Sequence, residues 1–193
     1  MLLKGERLGY YYNKNEWVFR DLDISVESGE IIALQAASGK GKTTLAQILA
    51  GYIKPTEGQV HRPIANTVNP VQLVWQHPEK AVNPKWKLRK TLIEAGQPDQ
   101  SLIERLGIES QWLQRWPNEL SGGELQRICV ARALHEQTRF LIADEMTSML
   151  DALTQAQIWQ VVLEIVKERN LGLIVISHDK HLVERICNRV ITL

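Results

Sequence analysis

Three short runs hold the residue types best suited to chemistry. The first, Ala36-Ala37-Ser38-Gly39-Lys40-Gly41-Lys42-Thr43-Thr44, directly follows the apolar stretch Ile31 to Leu34 and leads into a helical pattern beginning near Thr44. Phosphate oxygens need many convergent donors. Backbone N–H groups of a tight glycine-containing loop and of a helix N-terminus supply them, with Lys42 to reach the terminal phosphates and Thr43 to ligate Mg2+. The spacing fits G-x-x-x-x-G-K-[ST] except at Ala36, where glycine is expected, so a backbone angle easy for glycine is expected to be strained or adjusted there. The second run, Phe140-Leu141-Ile142-Ala143-Asp144-Glu145, is an apolar strand delivering two carboxylates at its carboxyl end, where open α/β sheets place their ligands. Asp144 suits holding Mg2+ through water and Glu145 suits polarising an attacking water, a division of labour fitted to phosphoryl transfer. The third, Leu120-Ser121-Gly122-Gly123-Glu124, continues into Leu125-Gln126-Arg127 and puts a hydroxyl and glycine N–H groups at a helix start, a second phosphate cradle. Each run alone has a plain structural reading as a turn, a solvated strand end or a helix cap. Together in one chain they point to nucleotide hydrolysis.

The elements that must position these runs alternate strand and helix. Strand patterns occupy Glu30 to Gln35, Val71 to Gln76, Arg139 to Ala143 and Gly172 to Ser177; helical patterns occupy Thr44 to Gly51, Glu124 to Leu134, Thr154 to Glu168 and His181 to Cys187. Continuous apolar strands such as Phe140 to Ala143 and Leu173 to Ile176 indicate a mostly parallel sheet covered on both faces. The segment from Leu8 to Val26 has aromatic, period-2 character broken near Asn13-Lys14-Asn15 and reads as an antiparallel hairpin beside that sheet. Between about Pro78 and Pro117 strands disappear in favour of short helical pieces such as Ser101 to Leu106, an inserted helical lobe dotted with tryptophan.

Bulk properties narrow the function classes. The chain has 193 residues, enough for one domain with a substantial core, and its formal net charge is +1 without a long basic run, so nothing in its electrostatics asks for nucleic acid. Cys129 and Cys187 stand far apart without CxxC spacing, which argues against a disulfide framework or a metal site and for plain buried thiols. The charged N-terminus lacks a signal-peptide pattern, and no run reaches the roughly eighteen apolar residues of a membrane span, so any membrane role is expected to be peripheral.

The order Leu120-Ser121-Gly122-Gly123-Glu124, then Asp144-Glu145, downstream of the phosphate loop, resembles the ABC ATPases, whose signature is LSGGQ; the resemblance runs from about Leu8 to Leu193. It implies an α/β P-loop NTPase with a mostly parallel core sheet, an N-terminal antiparallel β subdomain and an α-helical subdomain inserted at about 78–120, all in one domain spanning 1–193. It implies ATP and Mg2+ as cofactors, with ATP held by Tyr12 and by Ala36, Ala37, Ser38, Gly39, Lys40, Gly41, Lys42, Thr43 and Thr44. Tyr12 would stack on adenine, with Tyr10 and Tyr11 as neighbouring competitors. Thr43, Gln76 and Asp144 would serve the metal; Glu145, His178 and Gln76 would be catalytic. Ser121, Gly122, Gly123, Glu124 and Asp151 would contact ATP bound by an opposite subunit, Asp151 within Ser148-Met149-Leu150-Asp151, which resembles the SALD loop. Met146 stands where proline usually follows the acidic pair. His61, His77, His135 and His181 receive no role.

Softer features, Val74-Trp75-Gln76-His77-Pro78 with Ala81-Val82-Asn83-Pro84, Thr154-Gln155-Ala156-Gln157, and Ser177-His178-Asp179 with Leu182-Val183-Glu184-Arg185, resemble the peptide and nickel importer branch. The resemblance implies a peripheral cytoplasmic motor on the inner face of the cell membrane. Its expected partners are transmembrane permease subunits, a second ABC ATPase subunit in a hetero- or homodimer and, indirectly, an extracellular substrate-binding protein. Nickel, metal chelates or peptides would be the cargo. Lys42 to Gln76 is shorter than usual, and the chain ends at Leu193 where family members add more, so the C-terminal extension of that branch is not carried over. Coupling to the membrane partners is expected between Trp75 and Trp116, with Trp86, Trp112 and Trp116 as exposed aromatics. The rival reading, a soluble ABC protein of translation or DNA maintenance, would call for tandem cassettes, a coiled-coil insertion or a basic face.

Overall fold

The computed structural model describes residues 1–14, 16–37, 39–64 and 68–193. At the N-terminus β1 (Leu2–Asn13) and β2 (Glu16–Glu27) pair antiparallel from Leu2↔Glu27 to Asn13↔Glu16. The expected break at Asn13-Lys14-Asn15 falls between them, Asn15 lying outside the described residues. A third strand, β4 (Glu57–His61), pairs with the free edge of β1, giving the order β2-β1-β4. Its sequence Glu-Gly-Gln-Val-His is mostly exposed, so no apolar run betrayed it.

The main sheet contains β3 (Ile31–Gln35), β5 (Val71–Val74), β6 (Phe140–Asp144), β7 (Gly172–Ile176) and β8 (Arg189–Thr192). Their order is β5-β6-β7-β3-β8, and every neighbouring pair is parallel. β6 and β7 are buried along their whole length, which is why they read as unbroken apolar runs. Gly172 opens β7 where a Cβ would lie 2.4 Å from the Phe140 ring, so the two strands meet there only because one lacks a side chain.

Helices cover both faces. On one, α1 (Lys42–Ala50) packs Leu45, Ile48 and Leu49 with Ile32, Leu34, Ile142 and Ile174 of the sheet and Leu3, Leu8 and Ile24 of the hairpin. On the other lie α2 (Leu88–Leu92), α3 (Gln100–Arg105), α4 (Gly122–Ala133) and α5 (Ala152–Glu168). Leu88, Leu102, Leu106 and Trp112 of the helical segment join Ile128 of α4, Ile158 and Val162 of α5 and the sheet residues Leu141 and Leu173 in one buried cluster. The lobe is therefore continuous with the core on that face, and burying each large apolar side chain there contributes roughly 1.5–3 kcal/mol. α6 (Lys180–Ile186) follows β7.

Two expectations change. Trp112 is a core residue; only Trp116 of the three tryptophans is exposed, and Trp86 is half-buried. Trp112 packs inward because its 3-10 turn, Trp112–Gln114, lies against α2, and the indole joins the buried cluster that holds Ile128 of α4. Cys129 is buried as expected but Cys187 is only half-buried; burial pushes both thiols up to about 11, far from thiolate reactivity.

Candidate functional site

The loop 36–41 joins β3 to α1 at the carboxyl end of the parallel sheet. Gly41, the residue before α1, has φ +84°, and a Cβ on it would lie 2.4 Å from Val18 Cγ1 of β2, so both backbone and packing demand glycine. No side chain caps α1, and no acidic residue occupies its first turn, which leaves its leading N–H groups and positive dipole end directed at the loop. The helix opens at Lys42, two residues earlier than the sequence pattern suggested. Ala36 keeps a negative φ: positive values among described non-glycine residues are confined to Arg7, Asp21, Glu145 and Asn170. The strain expected at the glycine-to-alanine departure is absent because this loop turns at Gly39 and Gly41. Lys42 folds back across the loop and donates from Nζ to the carbonyls of Ala36 at 2.8 Å and Ala37 at 3.4 Å. Ser38 lies outside the described residues.

Opposite the loop stands the end of β6. Asp144 is buried and its carboxyl is pushed above its ordinary value by desolvation, opposed by a hydrogen bond with Thr43 and by the charge of Lys42. Glu145 leaves the strand at φ +50°, a left-handed conformation that costs a non-glycine residue on the order of 1 kcal/mol or more. A bond from its N–H to the Ile176 carbonyl, 2.9 Å, holds that turn against the end of β7. Burial also raises the Glu145 carboxyl, with His178 pulling the other way and Asp144 adding to the rise. Oε1 of Glu145 is buried without a hydrogen bond; His178 Nε2 stands 3.6 Å away, close enough to feel its charge but too far to bond it. Gln76, just beyond β5, donates to Ser148 Oγ at 3.1 Å, and that hydroxyl donates to the Glu145 carbonyl at 3.0 Å.

These residues line one cleft of about 900 Å³, bounded by Gly39, Lys42, Thr43, Gln76, Asp144, Glu145 and His178. Tyr12, rather than Tyr10 or Tyr11, forms part of its wall. Its hydroxyl shares a 2.8 Å hydrogen bond with Thr44 Oγ1, and Tyr10 meets its ring edge-on at 5.0 Å. Tyr11 is turned to Trp17 instead. Trp17, Val18 and Ser148 also line the cleft. Ser148 belongs to the Ser148-Met149-Leu150-Asp151 loop, where the family resemblance gives a role only to Asp151. The β2 residues carry no sequence signal, since their approach depends on how the hairpin folds over Gly41.

The third run sits elsewhere. Ser121 caps α4, accepting from the Glu124 N–H at 3.3 Å, while the Glu124 carboxylate accepts from the Ser121 N–H at 2.7 Å, a reciprocal capping box. Asp151 caps α5 one-sidedly, accepting from Thr154 N, Thr154 Oγ1 and Leu153 N, bonds that hold its carboxyl below the usual range. Ser121, Gly122, Gly123, Glu124 and Asp151 line a second concavity of about 510 Å³. Among the described residues none lines both concavities, so within one chain they are separate. A link between them runs through α4: buried Gln126 donates from Nε2 to the carbonyl of Trp75, next to Gln76, at 3.1 Å.

The sequence family described as ABC transporter matches residues 19–148. The chain belongs to the ABC transporter family. It is an ATP-binding, ATP-hydrolysing subunit whose hydrolysis drives transport. Over its whole length this ABC subunit is 35% identical to the nickel import system ATP-binding protein NikE of Staphylococcus aureus strain bovine RF122 / ET3-1, and 34% identical to that of strain N315, covering 86% of each. Its fold is similar to an ATP-binding cassette solved as a dimer in a post-hydrolysis state bound to ADP and Pi, with a TM-score of 0.82 and 23% identity over 99% of this chain and 94% of that one. An ATP binding subunit of an ABC transporter aligns with a TM-score of 0.81 and 21% identity, over 100% of this chain and 86% of the other.

Proposed function

We propose that this ABC subunit is half of a two-chain motor, with each ATP held between the phosphate loop of one chain and the Ser121 cradle of a second ABC ATPase, identical or related, beneath transmembrane permease subunits. The observation that carries the reading is the separation of the two concavities: a phosphate cradle with no phosphate site of its own calls for a partner chain. Lys42 would exchange the carbonyls of Ala36 and Ala37 for the terminal phosphates, and the α1 N–H groups would hold the phosphate oxygens beside them. Thr43, Asp144 and Gln76 offer the hard oxygen donors that suit Mg2+, and the Thr43–Asp144 hydrogen bond already pairs two of them. Bound there, Mg2+ would neutralise charge on the phosphates. Glu145 would take the proton of the attacking water; its raised proton affinity suits a base, and its unbonded Oε1 is free to accept. His178 would sense the terminal phosphate beside it. Tyr12 would stack on adenine. Ser121, Gly122 and Gly123 would donate to the opposite chain's phosphate with Asp151 bracing the contact, while the Glu124 carboxylate, held by the Ser121 N–H, is turned back into its own cap.

We read residues 1–193 as one ATPase domain with the 78–120 segment as its inserted lobe, because lobe and sheet share a core. The naming of the relatives as parts of a nickel import system favours nickel or a metal chelate over peptides as cargo. Among the described residues no helix is long and apolar enough to cross a membrane, consistent with a subunit bound peripherally at the inner face of the cell membrane. The test is extraction of the chain from its own cells in detergent and uptake of radiolabelled nickel by those cells. Co-purification with permease subunits, and loss of uptake in a Glu145→Gln strain, are expected. A chain that instead pellets with ribosomes at low salt and leaves nickel uptake untouched would overturn the reading.

A further inference from the structure

We infer that the outer face of the helical lobe around α2 is a contact surface for anionic lipid headgroups. The segment Lys85-Trp86-Lys87-Leu88-Arg89-Lys90 places four cations in six residues of a chain whose net charge is only +1. α2 turns Leu88, Thr91 and Leu92 into the core, leaving Lys87, Arg89 and Lys90 exposed on the outside. Two indoles lie among them: Lys90 Nζ sits 4.0 Å from the Trp86 ring centre and Lys87 Nζ 5.0 Å from that of Trp116. A hydrogen bond from the Leu88 N–H to the Arg115 carbonyl, 2.9 Å, ties the two strips of chain into one surface.

Among the described residues none of these four cations forms an ion pair; other lysines share that state, but nowhere else do four cations stand within six residues. The acidic residues of the lobe that could have answered them are engaged: Glu79 with His77, Glu94 with Arg132 and Glu119 with the Trp116 N–H. Clustered like charges repel and gain nothing from one another. Their natural counterpart is therefore an external anion.

Charge complementarity with a bilayer fits this surface best. Amphipathic indoles settle at the level of lipid headgroups, and lysines draw on the negative field of the cytoplasmic leaflet without needing a defined partner geometry. Recognition of an acidic protein segment would favour the planar arginine fork, yet three of the four cations are lysine. A nucleic-acid surface would need a wider basic footprint than this near-neutral chain has. The inference rests on the proposed peripheral position at the membrane, and it requires the lobe's cations to act over no more than about 8 Å, one Debye length at physiological salt.

The experiment is flotation of the full chain with phosphatidylcholine vesicles, with and without phosphatidylserine, at low and physiological salt, for wild type, the Lys87→Glu/Arg89→Glu/Lys90→Glu variant and Trp116→Ala. Each cation near the surface is worth about fivefold in partitioning, so the triple variant is expected to lose roughly 100-fold or more. Wild type should float with mixed vesicles and not with phosphatidylcholine alone, and Trp116→Ala should bind several-fold more weakly with the salt dependence kept. ATP binding, measured alongside, should match wild type because all three substituted cations lie outside the cleft, and the unfolding midpoint should fall by only a few degrees through the two lost cation–π contacts. Wild type that ignores both vesicle types, or a triple variant that floats like wild type, overturns the inference. Loss of permease co-purification by the triple variant without any vesicle binding would assign the patch to an acidic protein segment, overturning the lipid contact while leaving the transporter reading intact.

Discussion

At the scale of residues, two carboxylates of the cleft, Asp144 and Glu145, are held where burial opposes their charge. Glu145 carries a left-handed backbone, a buried unbonded oxygen and a raised proton affinity at once, and such costs gather where function requires them. Because its folded-state pKa lies above the unfolded value, its ionisation destabilises the fold: the stability it contributes is full below the ordinary glutamate range and is lost as pH rises through the raised value. Glu145→Gln should therefore melt higher than wild type at neutral pH, by about 2–4 °C for each kcal/mol relieved, and the difference should vanish in acid; a thermal melt at both pH values checks it. Turnover in the same variant should fall about 10²–10⁴-fold, the usual contribution of a general base, and the acid limb of the wild-type rate profile should lie above the ordinary glutamate range. Ala36 illustrates the opposite case. A motif departure invites a guess of strain, but since its φ is negative, Ala36→Gly should leave ATP affinity unchanged and lower stability by about 0.4–1 kcal/mol through added freedom in the unfolded chain, seen by denaturant titration.

At the scale of elements, legibility followed burial. β6 and β7 were readable because both faces are covered and their residues are uniformly apolar, and the two runs of chemistry at the ends of β3 and β6 inherited that clarity. β4 and β8 were not, because an exposed edge strand is specified by the neighbour it pairs with rather than by its own pattern. Trp112 is buried although its segment is polar in composition, for a related reason: only the packing of α2 against α4 decides which tryptophan faces inward. The contribution of β2 to the cleft was also invisible, since it depends on the hairpin lying over Gly41. There Gly41→Ala would meet both a positive φ and Val18; it should cost more than about 1 kcal/mol in stability and abolish ATP binding, as isothermal titration would report. Gln126 is the element-scale link between α4 and the segment after β5. Gln126→Leu leaves the Trp75 carbonyl without this donor, so stability should drop by about 1 kcal/mol, and kcat should fall while the KM for ATP stays close to wild type.

At the scale of the whole molecule, the consequence is incompleteness. The cleft beside Lys42 and Glu145 gathers the phosphate loop and the acidic pair, while the concavity at Ser121 is, among the described residues, lined by none of them. Two chains arranged head to tail would complete both sites, and opening and closing of that pair is what would move the permease subunits. The most direct measurement is molecular mass in solution, together with ATP turnover, for wild type and Glu145→Gln in the presence of Mg2+ and ATP. Wild type should hydrolyse ATP, and the variant should lose turnover while shifting to twice the monomer mass only when ATP is present. A Glu145→Gln variant that stays monomeric with ATP bound and hydrolyses it at the wild-type rate would contradict both the shared site and the carboxylate at its centre.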